Sequence, residues 1–169
     1  MKKNKKVNAA ILIIGNEILS GRTQEKNVAF ISKWLNSKCG IAVDEVRIIP
    51  DLEKIIISNI LNMSKKYNYV FTTGGIGPTH DDITAQSISK AFKVNYEFQK
   101  EAYSILEKYY GKNKFNSGRR KMAKMPKGAK LIYNPSSAAP GFVIKNVLSL
   151  PGVPSILNSM IENCKPYLI

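Results

Sequence analysis

Residues 69–84 read YVFTTGGIGPTHDDIT, a short run of aromatic and β-branched residues followed by a polar, glycine-rich loop. The run at residues 69–73 predicts a buried strand, and Gly74 and Gly75 end it. Helix-compatible residues then continue from 84 to 92, so this stretch reads as a strand, a loop and a helix. Such a unit is typical of a parallel sheet covered by helices.

The same unit occurs twice before this stretch. Residues 9–14 form a continuous apolar run, and Asn27 is predicted to cap a following helix that stops at Gly40. Residues 41–49 are rich in β-branched side chains, and apolar residues from Leu52 to Met63 then recur at helical spacing. Three such units in succession predict an α/β fold, a three-layer αβα sandwich with a mainly parallel central sheet.

The second half of the chain predicts elements of both kinds. Residues 97–110 read as a helix, and residues 117–124 as a short basic helix before Pro126. Three short strands separated by turns are expected at residues 130–133, 142–145 and 147–150. A final helix is expected after residue 154.

The composition is that of an ordinary globular protein. A length of 169 residues with 44% hydrophobic residues fits one domain, taken as residues 1–169, whose core needs no disulfide or metal. Cys39 and Cys164 stand in no metal-binding spacing and are expected to be buried thiols in a reducing compartment. No segment approaches the roughly 20 apolar residues of a membrane span, and the basic start has no cleavage site after it. These features predict a cytoplasmic protein.

The chain is strongly basic, with a formal net charge of +14. Most lysines are scattered along the sequence, which indicates a solvated basic surface and disfavours nucleic-acid binding. Basic residues are densest between residues 100 and 130, and that density suits a small anionic ligand as well as a polymer.

Polar residues follow each of the first three predicted strands, at the sheet edge where α/β proteins bind ligands. After Thr73, the glycines Gly74, Gly75 and Gly77 let backbone N–H groups approach a phosphate without interference from side chains. Their spacing matches neither a P-loop nor a dinucleotide-binding fingerprint. We therefore predict a phosphate-binding loop of another kind.

Acidic residues are concentrated in the same loops. Glu17, Asp51, Asp81 and Asp82 would repel a phosphate unless a divalent cation such as Mg²⁺ lay between them. This pattern predicts metal ligands at Asp82, Asp51 and Asp81, and catalytic roles for Asp82, Asp51 and Glu17. The alternative is structural: Asp82 and Asp51 cap helices, and Glu17 pairs with Arg22.

Two further residues are candidates for ligand contact. His80, the only histidine, lies inside the glycine-rich loop and is expected to touch the ligand rather than transfer a proton. Arg120 is a candidate phosphate ligand, with a solvated helix face as the alternative. Covalent catalysis is not expected, because no G-x-S-x-G motif is present and neither cysteine has a histidine partner in sequence.

These segments resemble the molybdopterin-binding (MoaB/Mog-like) domain family. The likeness is closest to its CinA type, named for competence/damage-inducible protein A. It spans nearly the whole chain and lies at residues 14–21, 50–51, 72–84, 134–135, 139–142 and 150–154. Mog-type enzymes usually carry Thr where Ile76 stands and lack the pattern of residues 78–81, so these departures favour the CinA type.

The resemblance implies both a binding mode and partners. The pyrophosphate of a pterin or nucleotide would lie over the glycine loop, and Thr84 would support that loop. Asp51 and Asp82 match the positions of two aspartates important in molybdopterin adenylyl transfer. Related domains hydrolyse ADP-ribose or FAD with a divalent ion and potassium (K⁺), and family members form homodimers or homotrimers. The C-terminal amidase of full-length CinA proteins is not expected here.

Two function classes remain open at this point. The first is a protein that binds a pterin or nucleotide pyrophosphate, such as molybdopterin, ADP-ribose or FAD, and hydrolyses the phosphoanhydride with a divalent ion. The alternative is a non-catalytic molybdopterin-binding module in molybdenum cofactor metabolism.

Overall fold

The computed structural model describes residues 6–168. Eight strands occur in this part of the chain: β1 (Asn8–Ile14), β2 (Ala42–Ile49), β3 (Tyr69–Thr73), β4 (Tyr96–Phe98), β5 (Lys124–Pro126), β6 (Lys130–Ile132), β7 (Gly141–Ile144) and β8 (Val147–Leu150). Six of them form one sheet in the order β2-β1-β3-β8-β7-β6, while β4 and β5 form a separate antiparallel pair. Strands β2, β1, β3 and β8 are parallel, and β7 pairs antiparallel with both of its neighbours. The sheet is therefore mainly parallel, as predicted.

The helices of the described residues are α1 (Asn16–Leu19), α2 (Asn27–Trp34), α3 (Glu53–Lys66), α4 (Thr84–Ala91), α5 (Lys100–Tyr110), α6 (Ser117–Lys121) and α7 (Pro154–Met160). A π-helical turn at Leu35–Cys39 extends α2, and a 3₁₀ segment at Ile161–Tyr167 follows α7. Within residues 6–168, no helix is both long enough and apolar enough to cross a membrane.

Two apolar cores lie on the two faces of the sheet. On β1, Leu12 packs into the core that contains Ile60 of α3 and Ile88 of α4, while Ile11 packs into the core that contains Ile31 of α2 and Leu157 of α7. Burial of one such aliphatic side chain stabilises the fold by roughly 1.5–3 kcal/mol. Neighbouring side chains of β1 thus enter cores on opposite faces of the sheet, each covered by helices. This arrangement confirms the three-layer αβα sandwich.

Successive strands are added on opposite sides of β1. The connection through α2 leads to β2 on one side of β1, and the connection through α3 leads to β3 on the other. Because α2, which follows β1, and α4, which follows β3, pack on opposite faces, the loops after β1 and β3 diverge and leave a crevice between the strand ends. Such a switch point is where α/β sheets bind ligands.

The predicted helix at residues 97–110 begins later than expected. Tyr96–Phe98 pairs with Lys124–Pro126 as β4 and β5, so the helix starts only at Lys100. The side chain of Gln99 caps it by accepting a hydrogen bond from the backbone N–H of Ala102 at 2.7 Å. The same pairing ends the basic helix at Lys121 instead of residue 124. Local helical spacing alone did not reveal a strand pairing across more than 20 residues.

Two smaller predictions also need correction. Asn27 does not cap α2, because the Glu25 carboxylate accepts hydrogen bonds from the backbone N–H groups of Asn27 at 2.7 Å and Val28 at 3.1 Å. Cys164 is fully buried as predicted, but Cys39 is only partly buried.

Candidate functional site

The loops after the first two strands are joined by a reciprocal pair of hydrogen bonds. The backbone N–H of Asn16 donates to Asp51 Oδ2 at 2.9 Å, and the backbone N–H of Asp51 donates to Asn16 Oδ1 at 3.1 Å. The Gly15 N–H also donates to the Ile49 carbonyl at 3.0 Å. These contacts hold Asp51 beside the end of β1, so the predicted clustering of the loops is confirmed. Asp51 does not cap α3, whose N-cap is Leu52.

The glycine-rich loop approaches the end of β1 more closely than a side chain would permit. Gly74 has a φ of +94° and Gly75 a φ of +73°. A Cβ at Gly74 would collide with the carbonyl oxygen of Ile14, and one at Gly75 would collide with Oγ1 of Thr84. Thr84 Oγ1 donates to the Gly74 carbonyl at 2.9 Å, and the Thr84 N–H donates to the Gly75 carbonyl at 3.0 Å. Glycine is thus required here by both conformation and space.

Three consecutive backbone N–H groups of this loop lack a partner. Those of Gly75, Ile76 and Gly77 donate to no group within residues 6–168, whereas the Gly74 N–H donates to the Leu150 carbonyl at 3.1 Å. Successive unpaired N–H groups in a turn form a concave site for an anion.

Asp82 lies beside these N–H groups. Its Oδ2 accepts hydrogen bonds from the backbone N–H and from Oγ1 of Thr79, both at 2.9 Å. A Cβ at Gly77 would lie 2.8 Å from the same oxygen, so the carboxylate sits directly against the glycine loop. Asp82 does not cap α4, whose N-cap is Ile83.

His80 and Asp81 lie at the tip of the loop and face solvent. Their side chains are 93% and 81% exposed, with His80 Nε2 3.3 Å from Asp81 Oδ1. Neither residue lines the cavities described below. A ligand at the glycine loop would have to extend outward to touch them.

The charge environment of Asp51 differs from that of a free carboxylate. Burial raises the pKa of Asp51 above the ordinary value of 3.8, the hydrogen bond from Asn16 opposes that rise, and the charges of Glu17, Asp82 and Asp81 add to it. Four acidic groups therefore interact electrostatically at this edge of the sheet. A cation at this edge would relieve their mutual repulsion.

Lys121, rather than Arg120, reaches the glycine-rich loop. Lys121 Nζ donates to the backbone carbonyls of Thr79 and Asp82, the latter at 2.7 Å. The Arg120 guanidinium lies over the ring of Phe115, with Cζ 5.6 Å from the ring centroid. Both residues belong to the short basic helix predicted from sequence, but only the packing of α6 against the loop distinguishes them. The signal in the sequence was the basic run, which does not show which residue points inward.

Two cavities flank the end of β3. The first is lined by Gly75, Gly77, Asp82 and Lys121, together with Pro140 and Phe142. The second lies at the switch point and is lined by residues from the ends of β1 and β3, by α1 and α2, and by the loop after β8; these include Glu17, Asn27, Thr73, Gly74 and Gly152. Glu17 therefore lies in a different cavity from Asp82, and within residues 6–168 it forms no ion pair with Arg22.

The carboxylates do not form a ready-made metal cage. No group of three or more His, Cys, Asp or Glu side chains within residues 6–168 is placed to hold a metal ion. Mg²⁺ commonly binds through one or two carboxylates and completes its coordination with substrate phosphate oxygens and water. Asp51 and Asp82 therefore fit Mg²⁺ only in combination with a phosphate-bearing ligand.

Comparisons with known proteins agree on one family. The family model described as "Probable molybdopterin binding domain" matches residues 10–169. A protein from Archaeoglobus fulgidus is 38% identical over 152 residues, which cover 90% of this chain and 65% of that protein. One from Caldivirga maquilingensis is 36% identical over 166 residues, covering 95% of this chain and 64% of that protein. The chain thus spans slightly less than two thirds of the length of these relatives.

Solved structures show the same likeness. The crystal structure of the protein CinA, of unknown function, from Thermoplasma acidophilum has a TM-score of 0.90 and 32% identity, covering 97% of this chain and 99% of that one. The tungsten cofactor synthesizing protein MoaB from Pyrococcus furiosus has a TM-score of 0.60 at 20% identity, covering 96% and 92%. The molybdopterin biosynthesis enzyme MoaB from Thermus thermophilus has a TM-score of 0.58 at 15% identity, covering 96% and 91%. The two MoaB proteins share the fold with this chain.

Proposed function

The chain belongs to the family of molybdopterin-binding domains, of the MoaB/Mog-like, CinA type, and from that membership we propose that it binds a pterin or nucleotide pyrophosphate at the glycine-rich loop. The observation that carries this proposal is the run of unpaired backbone N–H groups at Gly75, Ile76 and Gly77, with the Asp82 carboxylate beside it. Backbone N–H groups bind a phosphate without needing a basic side chain.

The pyrophosphate would be held by groups of two kinds. The loop N–H groups would donate to its oxygens, and the Lys121 ammonium, which spends two donors on backbone carbonyls, has a third N–H to offer. Arg120 lies over Phe115 and does not line the cavity beside the glycine loop, so it is the weaker candidate for contact with the anion.

A divalent ion would be shared between this chain and its ligand. Asp51 and Asp82 are the residues that would hold Mg²⁺, with Asp81, exposed at the tip of the loop, as a third candidate. When bound there, the ion supplies Lewis-acid polarisation of the phosphoanhydride. The Asn16 N–H orients the Asp51 carboxylate, and Thr79 orients the Asp82 carboxylate, so each would be held in place for such an ion.

Hydrolysis of the phosphoanhydride is the more specific part of the proposal. The alternative is a binding module without turnover, in molybdenum cofactor metabolism, and family membership supports it directly. The solvent-facing His80 also favours the alternative, because it leaves no histidine inside either cavity to act as a general base. We further propose a homodimer or homotrimer in the cytoplasm, with K⁺ as a second ion.

Incubation with ADP-ribose, FAD and related dinucleotides, plus Mg²⁺ or Co²⁺ and K⁺, distinguishes the two readings through AMP release. We expect Asp82→Asn to lower turnover by about 100-fold or more, because its carboxylate would contact the reacting group or its ion. Asp44→Asn is the matched control: Asp44 is an exposed surface aspartate that contacts Asn8. Release of AMP by the wild type and by Asp44→Asn, but not by Asp82→Asn, establishes hydrolysis. Absence of AMP from every compound favours the binding module, with molybdopterin as the next ligand to test.

A further inference from the structure

The cavity beside the glycine-rich loop has a second wall, which the strand pair β4 and β5 supplies. Tyr96 of β4 and Lys124 of β5 line this cavity together with Asp82 and the loop glycines. Within the pair, Phe98 lies directly across from Lys124. The two strands are separate from the six-stranded sheet and pack against α4, the helix that follows the loop. The cavity is therefore bounded by both the glycine loop and the β4–β5 pair.

The Lys124 ammonium is positioned by aromatic rings. Its Nζ lies 4.9 Å from the ring centroid of Phe98 and 5.6 Å from that of Tyr96. Lys124 forms no ion pair and donates no hydrogen bond within residues 6–168. A cation–π contact orients an ammonium group without giving its N–H groups an oxygen acceptor. Lys124 thus brings a positive charge and unused donors to the cavity.

Tyr96 adds a neutral donor to the same wall. Its side chain is partly buried, and its hydroxyl makes no hydrogen bond to any group in the described part of the chain. Burial raises the pKa of Tyr96 above its ordinary value of 10.0, so the hydroxyl stays protonated at neutral pH. Tyrosine hydroxyls away from bulk water usually have a hydrogen-bond partner, and this one is free to donate to a ligand in the cavity.

The cavity offers more donors than one phosphoryl group requires. The unpaired N–H groups of Gly75, Ile76 and Gly77 are sufficient to bind the oxygens of one phosphoryl group. The donors of Lys124 and Tyr96 are therefore available to a second one. Among the described residues, Asp82 is the only acidic side chain that lines the cavity, so a second anionic group meets little repulsion there.

We propose that Lys124 and Tyr96 form a second phosphoryl subsite, which holds the phosphoryl group that the glycine loop does not hold. The ammonium would neutralise charge on that group, and the hydroxyl would donate to one of its oxygens. Such a site selects ligands with two adjacent phosphoryl groups, because a single phosphate cannot occupy both positions. The inference rests on the proposed function for the first position, and it adds the residues that distinguish a pyrophosphate from a phosphate.

The test compares inorganic pyrophosphate with inorganic phosphate, both in the presence of Mg²⁺. Calorimetry measures pyrophosphate directly and phosphate by its competition with pyrophosphate. We expect the wild type to bind pyrophosphate at least about tenfold more tightly than phosphate. Lys124→Met should weaken pyrophosphate by about tenfold or more, and Tyr96→Phe by about threefold or more, with little change for phosphate. Lys124→Arg should keep most of the affinity, because it retains the charge.

The matched controls are Lys127→Met and Tyr109→Phe. Both residues are exposed, and neither lines the cavity. Neither substitution should change the affinity for either ion. Unchanged phosphate binding by Lys124→Met also shows that the site has kept its structure, since a disrupted site would lose affinity for both ions alike.

The inference is overturned if the wild type binds phosphate as tightly as pyrophosphate. It is also overturned if Lys124→Met leaves pyrophosphate binding unchanged or weakens both ions equally. Loss of pyrophosphate affinity in Asp82→Asn, with none in Lys124→Met or Tyr96→Phe, would refute the second subsite and leave the proposed function standing. Absence of pyrophosphate binding to the wild type would overturn the proposed function, and the second subsite with it.

Discussion

The Lys121 ammonium donates a hydrogen bond to the backbone carbonyl of Asp82 at 2.7 Å, and the two residues are 39 positions apart in the sequence. The same ammonium donates to the carbonyl of Thr79, so both ends of the turn that carries Asp82 are tied to α6. Gly118 on that helix permits the approach, because a Cβ there would lie only 2.9 Å from the Pro78 carbonyl oxygen. The position of the Asp82 carboxylate therefore depends on a helix far away in sequence.

Replacement of Lys121 by Met should loosen this turn. Loss of the two charge-assisted hydrogen bonds should lower the free energy of unfolding by about 1.5–3 kcal/mol, measured by urea denaturation. Amide hydrogen exchange at residues 79–82 should accelerate more than exchange in β1. Lys127→Met is the control, since Lys127 is exposed and its side chain makes no such contact. Equal effects of the two substitutions would contradict the role given to Lys121.

Gly74 should tolerate no side chain. An alanine there would have to keep a φ of +94° and place its Cβ against the carbonyl oxygen of Ile14. We expect Gly74→Ala to destabilise the protein by about 3 kcal/mol or more, from the backbone strain and the overpacking together. Gly21→Ala tests strain alone, because Gly21 has a φ of +75° with nothing within 4 Å of a Cβ, and it should cost about 1–2 kcal/mol. Chemical denaturation of both variants checks the difference, and similar losses would argue against the close approach of Gly74 to β1.

Asp51 should make the protein less stable as the pH rises. The pKa of Asp51 is near the ordinary value of 3.8 in the unfolded chain and is higher in the folded chain. At a pH between the unfolded-state and folded-state pKa, the folded chain therefore binds more protons than the unfolded chain. The contribution of Asp51 to the free energy of unfolding therefore falls as the pH rises through that window, and it is constant at higher pH. Asp51→Asn keeps an acceptor for the Asn16 N–H but removes the titration.

The stability of Asp51→Asn relative to the wild type should therefore increase from pH 3 to pH 7. Urea denaturation across this range measures the difference, in which the other titrating groups largely cancel. A difference that is constant with pH, or one that decreases, would show that the Asp51 carboxylate is not destabilised by burial and by its acidic neighbours.

The two cysteines should differ in reactivity. Burial raises the pKa of Cys164 to about 12 and also raises that of Cys39, which is partly exposed. Because the thiolate is the reactive form, iodoacetamide at pH 8 should modify the folded protein at no more than one site, and slowly. Mass spectrometry should place that label on Cys39, and Cys39→Ser should abolish it. Rapid labelling of Cys164 in the folded state would contradict its burial.

Most of the fold followed from local patterns. The strand over residues 69–73 has the predicted bounds, and the bounds of β1 and β2 differ from the prediction by one residue. Apolar runs that end in glycine or proline are strong signals because a buried parallel strand is apolar on both faces. The strand pair β4 and β5 was missed, since each segment has only three residues, one of them charged, and the two pair with each other across a long stretch of sequence.

The candidate site followed from sequence in outline but not in its contacts. Topology places the loops after β1, β2 and β3 at one edge, and that could be predicted from the order of strands and helices. The partner of Asn27 is Gly152, 125 residues away, and the partners of Lys121 are carbonyls of a distant turn. No local pattern distinguishes an asparagine that caps a helix from one that lies buried beside a cavity.

The sequence by itself determined the α/β class, the mainly parallel character of the central sheet and the presence of a glycine loop after a central strand. These properties depend on side-chain periodicity and on the conformations that glycine alone adopts, and both can be read from neighbouring residues. The tertiary structure decided which cation reaches the loop and which carboxylates share a cavity. Those outcomes depend on the packing of elements that are distant along the chain, because a hydrogen bond or a cavity exists only where their surfaces meet.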